Sequence, residues 1–216
     1  ALFDLCAARP EPIPFFGELG SVNPMFLFPN AIANRGESLG KGWAASLTMG
    51  AGQFCTNPGI AVLLAGPEAD AFVSTVSNSL STVPSQVMLT DGIAEAYRTG
   101  QKRIAATTGV REVLATSCEL RDATPYLYAT TASEWLANTE LAEEVFGPLG
   151  VVVLAASTEE MLQVAKSLEG QLTCTIHLDE SDTRAAKCFL PVLERKAGRI
   201  FANAFPTGVE VCGSMV

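Results

Sequence analysis

The chain has 216 residues, 48% of them hydrophobic and 17% charged, with 18 glycines and a net charge of −9. Such a composition suits one well-packed domain with a sizeable core and excludes a disordered chain. The acidic balance argues against a nucleic-acid partner, which needs a basic face, and the apolar runs, such as Val151–Ala156, are too short to span a bilayer.

Ala1–Arg9 reads as the end of a helix with no N-cap before it. Glu37–Ala51 reads as a helix, because Leu39, Trp43, Leu47 and neighbouring alanines form an apolar face that glycines end. Ile60–Ala65 is a strand. Pro67–Leu80 is a second helix, with Phe72, Val73, Val76 and Leu80 on one face, and Ile93–Ala106 is a third. Tyr126–Ala129 and Gly150–Leu154 are strands. Thr158–Leu168 is a helix opened by a serine cap and two glutamates in its first turn. Gln171–Leu178 is a strand, Asp182–Ala197 a helix and Arg199–Ala202 a strand. This alternation predicts βαβ units around a mostly parallel sheet, a three-layer α/β/α sandwich.

The six cysteines (6, 55, 118, 174, 188 and 212) form no CxxC pair or regular framework, and no signal peptide is recognised. They indicate a reduced, cytoplasmic protein with mostly buried thiols. Cys6, Cys118, Cys174 and Cys188 sit in apolar or helical contexts and read as inert.

Cys55 differs. In Gly52-Gln53-Phe54-Cys55-Thr56-Asn57-Pro58-Gly59 it stands in a polar, glycine-rich turn between a helix and a strand. A thiol there can be exposed, near backbone N–H donors and free of bulky neighbours, as a nucleophile requires. Glu18, bracketed by glycines in Phe16-Gly17-Glu18-Leu19-Gly20, is the candidate general base. Cysteine and glutamate together suggest covalent chemistry on a carbonyl carbon. The single histidine, His177, lies in a strand pattern; it pairs with Cys55 only if the fold brings it there. One histidine also argues against a zinc site.

Glu18-Leu19-Gly20, Gly52-Gln53-Phe54-Cys55, Glu143-Glu144-Val145-Phe146-Gly147-Pro148, and Gly198–Asn203 with Pro206-Thr207-Gly208 resemble, in order, four motifs of the aldehyde dehydrogenase superfamily. Arg9–Pro14, Asn23-Pro24-Met25-Phe26-Leu27 and Phe54–Gly59 look most like its 2-oxoglutarate semialdehyde (2,5-dioxopentanoate) dehydrogenase branch.

The resemblance implies that Cys55 attacks an aldehyde, Glu18 activates the thiol or the hydrolytic water, and Glu144 and Phe146 contact the ribose and nicotinamide of NAD or NADP. It implies that Asn203 fixes a loop of the substrate pocket, and that the full-length protein is a homo-oligomer acting on a small carboxylated semialdehyde. No Gly-x-Gly-x-x-Gly follows a strand. Residues 1–216 therefore read as the catalytic domain alone, inactive by itself, without the dinucleotide-binding domain that precedes this segment in the family. The chain opens mid-pattern and stops at Gly213–Val216, just after a loop. Ser21, where most of the superfamily has a second glycine, and Val209-Glu210 after Gly208 depart from the pattern without touching the nucleophile. Two rivals stay open. One is an acylating or phosphate-linked semialdehyde reductase of the same superfamily, which needs no base such as Glu18. The other is a non-catalytic assembly module.

Overall fold

The computed structural model describes residues 1–207. The first half runs α1 (Leu2–Ala7), β1 (Met25–Leu27), α2 (Pro29–Thr48), β2 (Ile60–Leu64), α3 (Pro67–Ser81), β3 (Gln86–Val87) and α4 (Asp91–Ala106). The strands β4 (Arg111–Leu114), β5 (Asp122–Ala123) and β6 (Tyr126–Thr131) follow. Then come α5 (Ala132–Ala137), β7 (Leu149–Ala155), α6 (Thr158–Ser167), β8 (Gln171–His177), α7 (Thr183–Lys187), α8 (Leu190–Leu193) and β9 (Ala197–Ala202).

Seven strands form one sheet in the order β4-β6-β7-β2-β1-β8-β9, and β3 pairs with β5 in a separate ribbon. Every neighbouring pair in the large sheet is parallel except β4 with β6 at the edge. Side chains alternate between the two faces of a strand, so each strand feeds two cores. Met25, Leu27, Ala61 and Leu63 pack with Leu39, Trp43, Leu47 and Phe72 of α2 and α3. Phe26, Ile60, Val62 and Val151 pack with Ile104, Trp135, Val164 and Phe189 on the other face. The two covered faces make the expected three layers. Each large side chain so buried contributes about 1.5–3 kcal/mol relative to exposure.

Several local readings are corrected. Helix α2 starts at Pro29 rather than Glu37. Its first turn is capped from afar: the Asp182 carboxylate accepts hydrogen bonds from Asn30 N (3.1 Å) and Ala31 N (3.0 Å). The expected helix over 182–197 is two short pieces, broken around Cys188-Phe189, and Ala197 already belongs to β9. The central strand β1 escaped prediction. The thiols are not mostly buried: of the five described, only Cys174 is, while Cys6 and Cys118 are half-buried and Cys55 and Cys188 exposed. Gly208, the Val209-Glu210 departure, Cys212 and Gly213–Val216 lie outside the described residues.

Candidate active site

The segments of three motifs meet because of strand order. Asn23 precedes β1, Cys55 precedes β2, Glu144 and Phe146 precede β7, and Gln171 opens β8. Those four strands are neighbours in the order β7-β2-β1-β8 and run parallel. Their amino ends therefore gather the four segments on one edge of the sheet.

The Cys55 segment leaves α2 through three consecutive left-handed residues, Gly50 (φ 56°), Ala51 (φ 58°) and Gly52 (φ 67°). The Gln86 carboxamide braces this turn, accepting from Ala51 N (2.9 Å) and donating to Thr48 O (3.0 Å). A Cβ on Gly52 would stand 2.5 Å from Gly147 O and 2.6 Å from Pro148 N. Only glycine admits this approach of backbone to backbone. Asn57 Nδ2 donates to Gly147 O at 3.0 Å, and the Trp43 indole N–H donates to Pro58 O at 2.7 Å. Cys55 sits between these anchors, its thiol exposed. Its N–H makes no hydrogen bond among the described residues, so it can serve a developing oxyanion.

Gly20 (φ 124°) passes close to Glu144; a Cβ there would stand 3.3 Å from Glu144 Oε2. Burial chiefly, and the charge of Glu18 next, raise the Glu144 carboxyl above the ordinary range, while the nearby Ser21 backbone N–H works in the opposite direction. Glu144 borders a groove of about 610 Å³ lined also by Leu19, Gly20, Glu143 and Gln171. Phe146 lines a cavity of about 30 Å³ shared with Gly52 and Asn57. Arg103 pairs with the Glu143 carboxylate at 3.2 Å and holds this segment to α4.

The structure thus brings Glu18, Glu144 and Ser21 together, and Cys55 against Gly147-Pro148. Glu18 itself is exposed and accepts a bond from Gly20 N at 3.2 Å; no hydrogen bond joins it to Cys55 among the described residues. His177 does not approach Cys55. It ends β8 at the opposite edge of the sheet, buried, with its ring 5.1 Å from that of Phe205. Asn203 also lies at that opposite edge. Its side chain pairs with the Leu178 backbone and accepts from Arg35 at 3.0 Å. From there the chain turns back along α2: Phe205 covers Gly42, and Thr207 bonds the Ser46 hydroxyl one turn nearer the Cys55 segment. Sequence reasoning missed Gln86 and Gln171, and it gave no role to Asn23. All three act over long sequence separations that no local pattern displays.

The chain is 46% identical over its whole length to alpha-ketoglutaric semialdehyde dehydrogenase 2 of Azospirillum brasilense. It is 40% identical, again over its whole length, to alpha-ketoglutaric semialdehyde dehydrogenase of Acinetobacter baylyi. It spans 42% of the length of each. Among solved structures, a NAD-dependent aldehyde dehydrogenase from Sinorhizobium meliloti superposes with a TM-score of 0.71, at 21% identity, over 89% of this chain and 38% of its own. No protein-family model matches the chain.

Proposed function

We propose that this chain, a member of the aldehyde dehydrogenase superfamily by sequence and fold, is the catalytic domain of an enzyme that oxidises an aldehyde to the carboxylic acid with NAD or NADP. The substrate is 2-oxoglutarate semialdehyde or a similar small carboxylated semialdehyde. The observation that carries this reading is the Cys55 turn. Its thiol is exposed and its N–H uncommitted, on a backbone locked against Gly147-Pro148.

In this mechanism the Cys55 thiolate adds to the aldehyde carbon, and the Cys55 N–H donates to the oxygen that gains charge. When bound, NAD or NADP would supply the acceptor for the hydride. Cys55 is left as a thioester, and Glu18 takes a proton from the water that cleaves it. Glu18 is free to reach that water: it is exposed, and Gly17 and Gly20 flank its turn. The residues present fit the cofactor. Glu144 is a half-buried acceptor beside an open groove, and ribose hydroxyls donating to it would stabilise its charged form. Phe146, also half-buried, lines the small cavity that Glu144 borders as well. The reductase rival is less favoured, because it has no use for Glu18. We assign the whole enzyme to the cytoplasm, as a homo-oligomer; among the described residues no helix is long and apolar enough to cross a membrane.

The test uses the full-length protein that carries these residues, supplied with the semialdehyde and either cofactor. Cys55→Ser is expected to lower NAD(P)H formation by roughly 10³-fold or more, with cofactor binding unchanged. Glu18→Gln is expected to keep the first-turnover burst and slow the steady state by about 10²–10⁴-fold. A wild-type protein that turns over no aldehyde with either cofactor would return the assembly-module reading.

A further inference from the structure

The Cys55 segment is held from beneath by one side chain. Asn23 is fully buried and sits at φ 45°, a left-handed conformation that asparagine tolerates better than most residues. Its Nδ2 donates to Cys55 O at 2.9 Å and Asn57 O at 3.0 Å. Its Oδ1 accepts from the Ser21 hydroxyl at 2.8 Å, Thr173 N at 3.2 Å and the Thr173 hydroxyl at 3.0 Å. The orientation of the amide is fixed by chemistry: backbone carbonyls only accept and the Thr173 N–H only donates.

Behind Asn23 lies a mooring. Gln171 Oε1 accepts from Val22 N at 2.8 Å and Asn23 N at 3.0 Å, and the Ser21 hydroxyl accepts from Leu172 N at 3.0 Å. Ser21, which departs from the family pattern, makes no hydrogen bond to Cys55 among the described residues; its hydroxyl bonds to Asn23, which does.

We propose that Asn23 is a positioning residue for Cys55. Two carbonyls of the nucleophile turn, those of Cys55 and Asn57, point inward at one NH2 group. That clamp turns the negative ends of both peptides away from the thiol, fixes the thiol outward and leaves the Cys55 N–H uncommitted. The inference rests on the reading of Cys55 as the nucleophile.

The test is Asn23→Asp, which keeps the shape and replaces the shared donor with an acceptor that faces two carbonyls. In the full chain, iodoacetamide labelling of each cysteine is followed by mass spectrometry across pH. For Cys55 the labelling rate at pH 7 is expected to fall about tenfold and its pH midpoint to rise by about one unit. The exposed Cys188, at the end of α7, is the internal control and is expected to label as in wild type. Thr173→Val removes one partner of Asn23 Oδ1 and leaves the clamp composed. It is expected to shift Cys55 in the same direction by less, and it keeps the question open to measurement if Asn23→Asp does not fold. A merely structural Asn23 would lower thermal stability while leaving the Cys55 midpoint where it was, and that result overturns the proposal. In the full-length enzyme Asn23→Asp is expected to lower kcat with KM within about twofold. The nucleophile reading is judged apart from this: it fails if wild-type protein alkylated at Cys55 keeps its turnover, whatever Asn23 does to the labelling.

Discussion

Replacing Gly52 with alanine probes the contact that joins the Cys55 turn to the Glu143–Pro148 segment. At φ 67° an L side chain is strained by about 1–2 kcal/mol. The new methyl would also press on the Gly147 carbonyl and Pro148 N, which are backbone atoms that cannot rotate aside. Overpacking of that kind destabilises by about 1–3 kcal/mol. Together the two effects amount to about 2–5 kcal/mol, and for a chain of this size the melting temperature should fall by roughly 4–20 °C. Gly92→Ala is the matched control. It lies in the first turn of α4, with nothing within 4 Å of the added Cβ, so it should be neutral or stabilising by up to about 1 kcal/mol. Thermal melts by circular dichroism and Cys55 labelling rates compare the two variants. A Gly52→Ala protein that melts within about 2 °C of wild type and labels normally would refute the close approach of the two segments.

Two further outcomes follow from buried polar groups. Burial, then Arg35, lowers the His177 pKa to about 4, whereas in the unfolded chain it titrates near 6.5. The unfolded state therefore binds more protons between those values, and stability should fall as pH drops from about 6.5 to about 4, by at most about 3 kcal/mol. His177→Leu should flatten that slope in urea titrations at pH 7 and 4.5, and equal losses in both proteins would mean that His177 is not held neutral. Asp182→Ala removes the cap of α2 and leaves the buried Ala31 N–H and the partly buried Asn30 N–H unpaired, which should cost about 1–3 kcal/mol. A denaturation midpoint that does not move would show that α2 is capped by other groups.

Periodicity located most helices and strands to within two or three residues, because each buries one face. It failed where the cause was remote or the element short. Three-residue β1 lies between Pro24 and Pro29, and a run of that length carries no period. The first turns of α2 depend on Asp182, some 150 residues away. The helix read over 182–197 has apolar spacing but breaks before Pro191, which cannot donate in a helix interior. The exposed turn that carries Cys55 was legible because small, turn-forming residues surround it. Asn23 drew no attention of its own, since a buried asparagine looks like any loop asparagine until its partners are known. The cysteines misled for the opposite reason: an apolar neighbourhood in sequence does not bury a residue at a helix end, as Cys188 demonstrates.

Strand order also sets when the site can exist during synthesis. β1 is flanked by β2, made soon after it, and by β8, made last but one among the described strands. Asn23 and its partner Thr173 are 150 residues apart. A ribosome adding 5–20 residues per second needs roughly 8–30 s to travel between them. Throughout that interval the newborn chain carries the Cys55 thiol with its turn unanchored to the eighth strand. The segment that lies in the first third of the chain is thus among the last to take its final shape.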